Sequence, residues 1–470
     1  MVDELLLTLA VIAALLFVLA FSRVDLILIH IFGTISSFVG MMLIAKDTES
    51  SSTPAYILLA AGLATIVGYA AATQRRPAHL AASRAGSVVG TNTSPIAEKP
   101  LHRGGVYAVV LTSGTLAVYH LTAVGIPLFS DNIEVDRFDF TSSGLLGIPG
   151  RMFLFGVQLS WVVAAVGATQ AQVRWHRYGP WIWSTSFLAI TSLLGGLKSG
   201  AIAFVTVILI AGTIIVQRRP RMLDLVRRYW LLGIGAVAYL IAVTAIYPTY
   251  ANQQRPLLGL LIDRVTVGSA TPKLIALERS GAVPVPAGGP LADFYYFMLR
   301  YTGQDTTGLY SVERAISASM IGVDPASDAW TTPVTVGGAP ELIFFFGLPT
   351  TLVIAFLLGV VIARLYRLRQ PTARTLILAA GFGLLLNTWK SRGGLAYYTL
   401  NYLAVAAMLV AIYAAWVMVN GAISAHAPRR PMAGRIPPSK SETMGANEND
   451  DPSMAETVYR RRPQSRLKSQ

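Results

Sequence analysis

Apolar runs of about eighteen residues or more, nearly free of charge, recur along the whole chain, as in LNYLAVAAMLVAIYAAWVMV (400–419). A helix of that length crosses a hydrocarbon core of about 30 Å and satisfies its own backbone N–H and C=O groups, which lipid cannot do. The alternating segments of a membrane barrel are absent. Of the 470 residues 53% are hydrophobic and only 13% charged, more apolar than a water-soluble chain of this size needs. The chain reads as an all-α polytopic membrane protein. It has no cysteine, which excludes disulfides, thiolate metal sites and cysteine nucleophiles.

The runs predict about eleven transmembrane helices: 4–22, 25–46, 54–73, 105–126, 149–171, 180–197, 199–216, 229–247, 341–363, 374–390 and 395–420. The first is too long, and too poorly flanked by small residues, for a cleaved signal peptide. Alternate loops are strongly basic. Segment 74–104 carries Arg75, Arg76, Arg84, Lys99 and Arg103, and 173–179 carries Arg174 and Arg177. QRRPRMLDLVRR (217–228) holds five arginines, and RLYRLRQPTAR (364–374) holds four. The positive-inside rule places these loops in the cytoplasm, giving an N-out, C-in arrangement. The expected organisation is N-terminal helices over 1–73, a cytoplasmic linker over 74–104, helices over 105–247 with an external loop at 127–148, one large external loop over 248–340, C-terminal helices over 341–420, and a disordered basic tail over 421–470. The net charge of +14 is accounted for by these loops and the tail, and no nucleic-acid partner is expected.

Three cations break the charge rule. Lys390 and Arg392, in NTWKSRGGLAYY (387–398), and Lys198, in GGLKSGA (195–201), fall at external helix junctions. A cation at a membrane lip is either a functional group or a side chain snorkelling to lipid phosphate. Neighbouring glycines at 195, 196, 200, 393 and 394 permit close backbone approach and favour a binding site.

The external loops supply the remaining candidates. The shorter one interleaves Asp131, Glu134, Asp136, Arg137 and Asp139 with Phe129, Phe138 and Phe140, a mixture suited to sugar hydroxyls and ring faces. The larger one is too long for a mere connector. It carries Arg255, Arg264, Arg300 and Arg314, and in LADFYYFMLRYTG (291–303) an amphipathic pattern that suits the membrane surface. Glu341 stands at the mouth of the next span, as either a charge favoured by the helix dipole or a catalytic group. No Walker A loop, HExxH, GxSxG or Rossmann glycine run occurs, and no soluble nucleotide-using domain is present.

The order of these features resembles the Wzy-type polymerases of oligosaccharide repeat units. The likeness runs from GIPLFS…VDRFDF through LLGGLKSGAIAFV and the large external loop to GGAPELIFFFGLPTTLVIAFLLG. The resemblance implies a multi-pass cell-membrane glycosyltransferase that passes a growing glycan from one polyprenyl diphosphate to the non-reducing end of another lipid-linked repeat unit. Its substrates would be polyprenyl-diphosphate-linked oligosaccharides in the bilayer, with a flippase and a chain-length regulator as partners. The leaving diphosphate is already activated, so neither ATP nor a metal or other cofactor is required. Glu341, Asp136 or Asp139 would orient or deprotonate the acceptor hydroxyl. Lys198, Lys390 and Arg392, with Arg137, Arg255, Arg264, Arg300 and Arg314, would hold diphosphate and glycan. The alternatives are an O-antigen ligase-like transferase, disfavoured because no histidine lies between His176 and His426, and a lipid or polysaccharide transporter, disfavoured because no internal repeat is seen.

Overall fold

Four of the described helix starts are marked by a side chain that satisfies otherwise orphaned N–H groups. Asp25 accepts from the Ile27 N–H at 2.9 Å, His102 from Gly105 at 3.3 Å, Ser311 from Arg314 at 3.3 Å and Thr372 from Thr375 at 3.1 Å. Between such caps the apolar runs form helices. The computed structural model describes residues 23–74, 100–129, 147–170, 174–195, 200–246, 267–278, 289–326, 334–368 and 371–426.

In chain order the described helices are α1 (Leu26–Asp47), α2 (Thr53–Gln74), α3 (Arg103–Val124), α4 (Ile148–Gln170), α5 (Arg174–Leu194), α6 (Gly200–Val216), α7 (Met222–Ile246), α8 (Val267–Glu278), α9 (Pro290–Tyr301), α10 (Val312–Ile321), α11 (Gly338–Leu365), α12 (Ala373–Arg392) and α13 (Leu395–His426). There is no strand among the described residues, and a single bridge joins Arg23 to Arg221. Among the described residues six helices are long and apolar enough to cross a membrane: α1 to α4, α11 and α13. The protein is therefore an all-helical, multi-pass membrane protein. The expected span 4–22 lies outside the described residues. The other four expected spans form α5, α6, α7 and α12, which are not among the six; α6 is 17 residues long. Beyond residue 421 the chain forms a separate unit, of which only the last turns of α13 are described.

The charge pattern reappears as geometry. Arg219 donates to Asp25 at 3.2 Å and to the Tyr69 hydroxyl at 2.6 Å, while Arg367 donates to the carbonyls of Ala72 and Thr73 at 3.0 and 2.7 Å. The start of α1, the end of α2, the 217–221 turn and the end of α11 thus share one face of the bundle. Among these the arginines are held by carbonyls, a phenol and a single carboxylate.

Small residues set the tightest helix contact. A Cβ at Gly68 would fall 1.9 Å from the Phe356 carbonyl oxygen, and one at Gly359 2.0 Å from that of Thr65, so α2 and α11 touch backbone to backbone. Residues 267–321, expected as part of an external loop, contain α8, α9 and α10. The amphipathic pattern over 291–303 becomes α9, with Tyr296 and Phe297 packed against Ala396 and with Leu291, Tyr295 and Met298 exposed along the opposite stripe.

Candidate functional site

Two pairs of adjacent glycines meet at one point. Gly337 has φ +87°, Gly393 +80° and Gly394 +71°, a region that costs other residues strain. A Cβ on Gly393 would lie 2.9 Å from the Gly337 nitrogen, and one on Gly338 would lie 2.7 Å from the Trp389 indole. The turn opening α11 is therefore pressed against the turn joining α12 to α13, at the contact expected for residues 393 and 394. Of the other glycines picked out, Gly200 lies against the Ser192 carbonyl, while Gly196 is outside the described residues.

On one side of this contact stand three buried carboxylates. Asp293, Glu313 and Glu341 are only 1%, 6% and 2% exposed. Glu341 accepts from Trp389 Nε1 at 3.1 Å and from the Leu395 N–H at 3.0 Å. The acid thus caps the N-terminus of α13 rather than its own helix, where anion and dipole attract. Asp293 accepts from the Val312 N–H at 3.0 Å through Oδ1, and its Oδ2 is buried with no hydrogen-bond partner among the described residues. Burial pushes the Asp293 carboxyl up to about 6, against the pull of the Val312 N–H. Glu313 is pushed well above the ordinary carboxylate range, by burial first and then by the charges of Glu341 and Asp293. A Cβ on Gly394 would fall 2.7 Å from Glu313 Oε1, which fixes how near this acid lies to the paired turns.

A small, partly open pocket with a cavity volume of about 50 Å³ lies beside the acids. Asp293 and Glu341 line it together with Phe294, Phe345, Phe346 and Leu342. Asp293, from the stretch expected as the larger loop, and Glu341, from the start of α11, thus stand beside aromatic faces.

Bases also lie close to these turns. Lys273, on α8, donates to the Ser37 hydroxyl of α1, and its Cε is 3.2 Å from where a Gly337 Cβ would be. The Lys390 carbonyl oxygen is 3.4 Å from that same point, and its Nζ is buried without a hydrogen-bond partner among the described residues. His30 of α1 is close enough for the Lys390 ammonium to act on its ring. Burial lowers the Lys273 amine to about 8.

The cations expected to act together are divided. Lys390 and Arg392 are two residues apart, roughly 200° around a helix, and so face different neighbours. Arg392 reaches the Tyr398 hydroxyl and lies among Tyr397, Tyr398 and Tyr402. The exposed Arg300 is 3.4 Å from the Tyr296 hydroxyl and also acts on Tyr397. Arg151, not picked out from the sequence, belongs to this group. Its guanidinium lies 4.4 Å over the Tyr301 ring and donates to Asn401 at 3.1 Å, and Asn401 in turn donates to the Tyr301 hydroxyl. Arg151 immediately precedes a π-helical turn at Met152–Gly156, a local irregularity common near functional sites. Arg314 begins α10, where its N–H is capped by Ser311. Asp136, Arg137, Asp139, Lys198, Arg255 and Arg264 lie outside the described residues.

Sequence reasoning missed Asp293, Glu313, Lys273 and His30 as members of the site. One signal was available for Asp293: it stands three and four residues before Tyr296 and Phe297, on the buried stripe of an amphipathic helix where an acid is costly. No protein-family model matches the chain, and no curated protein or solved structure is detectably similar to it.

Proposed function

We propose that the protein is a glycosyltransferase of the cell membrane that joins polyprenyl-diphosphate-linked oligosaccharide repeat units into a surface polysaccharide on the external face. The observation that carries this reading is the pair of buried acids, Asp293 and Glu341, opening on an aromatic-lined pocket at the mouth of a membrane helix. Phe294, Phe345 and Phe346 offer apolar faces to sugar rings, and the acids offer acceptors to hydroxyls.

In this reading the acceptor hydroxyl oxygen bonds to the anomeric carbon of the donor glycan. The bond from that carbon to the diphosphate oxygen breaks, and the polyprenyl diphosphate leaves with the electron pair. The hydroxyl proton passes to Asp293 Oδ2, which has no other partner among the described residues and titrates near the working pH. Glu341, expected from the sequence as the base, has both oxygens engaged by Trp389 and Leu395. It is better placed to fix the α13 turn beside the reacting hydroxyl.

Glycan analysis of a strain lacking the gene tests the reading. A single capped repeat unit in place of long polymer is the expected result. Intact polymer left unattached to its final acceptor would identify a ligase instead, and an unchanged glycan profile would dismiss both. Restoration of polymer by the wild-type gene but not by Asp293→Asn would tie the activity to the pocket.

A further inference from the structure

Just ahead of α1 and α7, two short stretches run antiparallel. They are bridged at Arg23 and Arg221, and the Val24 N–H donates to the Pro220 carbonyl at 2.9 Å. Continued by two residues on each chain, that register sets Asp25 opposite Arg219. The backbone of Asp25 is extended (φ −157°, ψ 177°), and Arg219 donates to its carboxylate at 3.2 Å. Two cross-strand pairs therefore stand side by side: one of opposite charges, which closes, and one of two arginines.

The closed pair is buried. Asp25 is only 3% exposed, and both its oxygens are engaged, by the Ile27 N–H on one and by Tyr69 and Arg219 on the other. Arg23 and Arg221 are exposed. Residues directly opposed in an antiparallel bridge have Cβ atoms about 5 Å apart, and like charges there repel. Neither arginine pairs with an acid among the described residues, and Asp224, in the first turn of α7, does not reach them. The backbone thus holds two guanidinium groups together and leaves the place of their anion open.

The depth of the pair says what that anion is. Arg23 stands three residues before the apolar span that opens at Leu26, so at most about 10 Å of chain separates it from the hydrocarbon. Exposed Tyr229 and Trp230 on α7 are the residue types that settle at headgroup level. We infer that Arg23 and Arg221 form a site for the phosphate of an anionic phospholipid, at the end of the bundle that the charge pattern assigns to the cytoplasm. Guanidinium forks match phosphate oxygens bidentately, and the phosphodiester completes the arginine pair as Asp25 completes Arg219. The site is remote from the carboxylate pocket. The Leu26 N–H donates to the Tyr366 hydroxyl at 2.9 Å, and Tyr366 follows the end of α11 that lies away from Glu341. It does not depend on the glycosyltransferase reading.

The test is thermal unfolding of the delipidated full-length protein in neutral detergent, titrated separately with phosphatidylglycerol, phosphatidylcholine and inorganic phosphate. Phosphatidylglycerol is expected to raise the unfolding temperature in a saturable way, and the other two probes are not. Arg23→Gln and Arg221→Gln are each expected to weaken that response about 10- to 100-fold in lipid concentration, the loss of one charged hydrogen-bonding group. Arg374→Gln, exposed at the start of α12, is expected to respond as wild type. Arg221→Glu is expected to abolish the response and, without lipid, to unfold at a higher temperature than wild type. It turns the repelling pair into a second copy of the Asp25–Arg219 arrangement.

Equal responses to phosphatidylglycerol and inorganic phosphate would overturn the lipid in favour of a soluble anion. A loss in Arg374→Gln as large as in Arg221→Gln would replace the site by a diffuse attraction to the whole basic face. A lower lipid-free unfolding temperature in Arg221→Gln than in wild type would mean that an acid of this chain already closes the pair. No response to phosphatidylglycerol, or a wild-type response from both glutamine variants, would overturn the site outright.

Discussion

The two faces of the paired glycine turns bury charge in opposite ways. Beside the turns, two of the three buried carboxylates have partners that draw on backbone: Val312 N–H for Asp293, and Leu395 N–H with the Trp389 indole for Glu341. On the base face, Lys273 has one hydroxyl and the Lys390 ammonium has no hydrogen-bond partner among the described residues. Helix starts supply N–H donors readily, so a folded chain can hold an anionic group with its own backbone. It has no such ready answer for a cation in a membrane interior except carbonyls, acids or a bound anion. Both groups thus keep buried polar atoms without a hydrogen-bond partner among the described residues: Asp293 Oδ2 and the Glu313 oxygens among the acids, and the Lys390 Nζ among the bases.

The largest effect that would break this comparison is on turnover. Asp293→Asn is expected to lower polymer formation about 10²- to 10⁴-fold, the usual contribution of a general base, with glycan binding little changed. Polymer of wild-type length and amount from that variant would remove the proton-accepting role from the acid face. Glu341→Gln is expected to act through structure instead. The amide keeps one acceptor for Leu395 or Trp389 but loses the charge at the α13 N-terminus, costing about 1–2 kcal/mol of stability. An unchanged melting temperature would show that the cap is dispensable.

Next in size is the glycine contact that keeps the faces apart. Gly394→Ala would place a Cβ 2.7 Å from Glu313 Oε1 at a backbone angle of +71°, and is expected to cost about 1–3 kcal/mol in stability. Gly33→Ala, at a position where a Cβ meets nothing within 4 Å, is the matching change in α1 and is expected to be neutral or slightly stabilising.

The most graded effect sharpens the acid face through pH. The Asp293 carboxyl titrates near 6 in the folded protein and near 3.8 when unfolded, so the fold favours the protonated form. Its contribution is fully favourable below about pH 4 and is lost as pH rises through 6. Asp293→Asn is therefore expected to be more stable than wild type above pH 6, by up to about 3 kcal/mol, with the gain vanishing near pH 4. Melting curves at both pH values check it, and a pH-independent difference would mean that Asp293 does not carry the shift.

Much of the architecture was legible because lipid imposes a coarse rule: long uncharged runs must be helical, and basic loops must gather on one face. Arg219 and Arg367 indeed meet the starts and ends of the helices that the alternation pairs with them. The site was legible only in part. Gly393, Gly394, Lys390 and Glu341 stood out because glycine doublets and charges are rare at a membrane lip. Lys390 and Arg392 looked like one cationic patch because they are neighbours in sequence, but helical rotation sends one toward α1 and the other into tyrosines. His30 carried no signal, since a single histidine in an apolar run has no pattern to betray it. Lys273 and Glu313 were hidden among the many charges of a long loop, where only the folding of α8 and α10 decides which are buried.

Gly347 adds a mechanical consequence. It interrupts α11 with φ +73° and ψ 173°, a combination open essentially to glycine alone. Beyond the break, the helix is clamped to α2 through Gly359 and Gly68. Before it, a short stub carries Glu341, Phe345 and Phe346, the wall of the pocket. The stub thus leaves the clamped part of α11 at its own angle, and Glu341 ties it to the α12–α13 turn through Trp389 and Leu395. Gly347→Ala would stiffen that joint, and is expected to slow turnover while sparing the α2–α11 clamp; wild-type turnover in that variant would leave the break as a bend without motion.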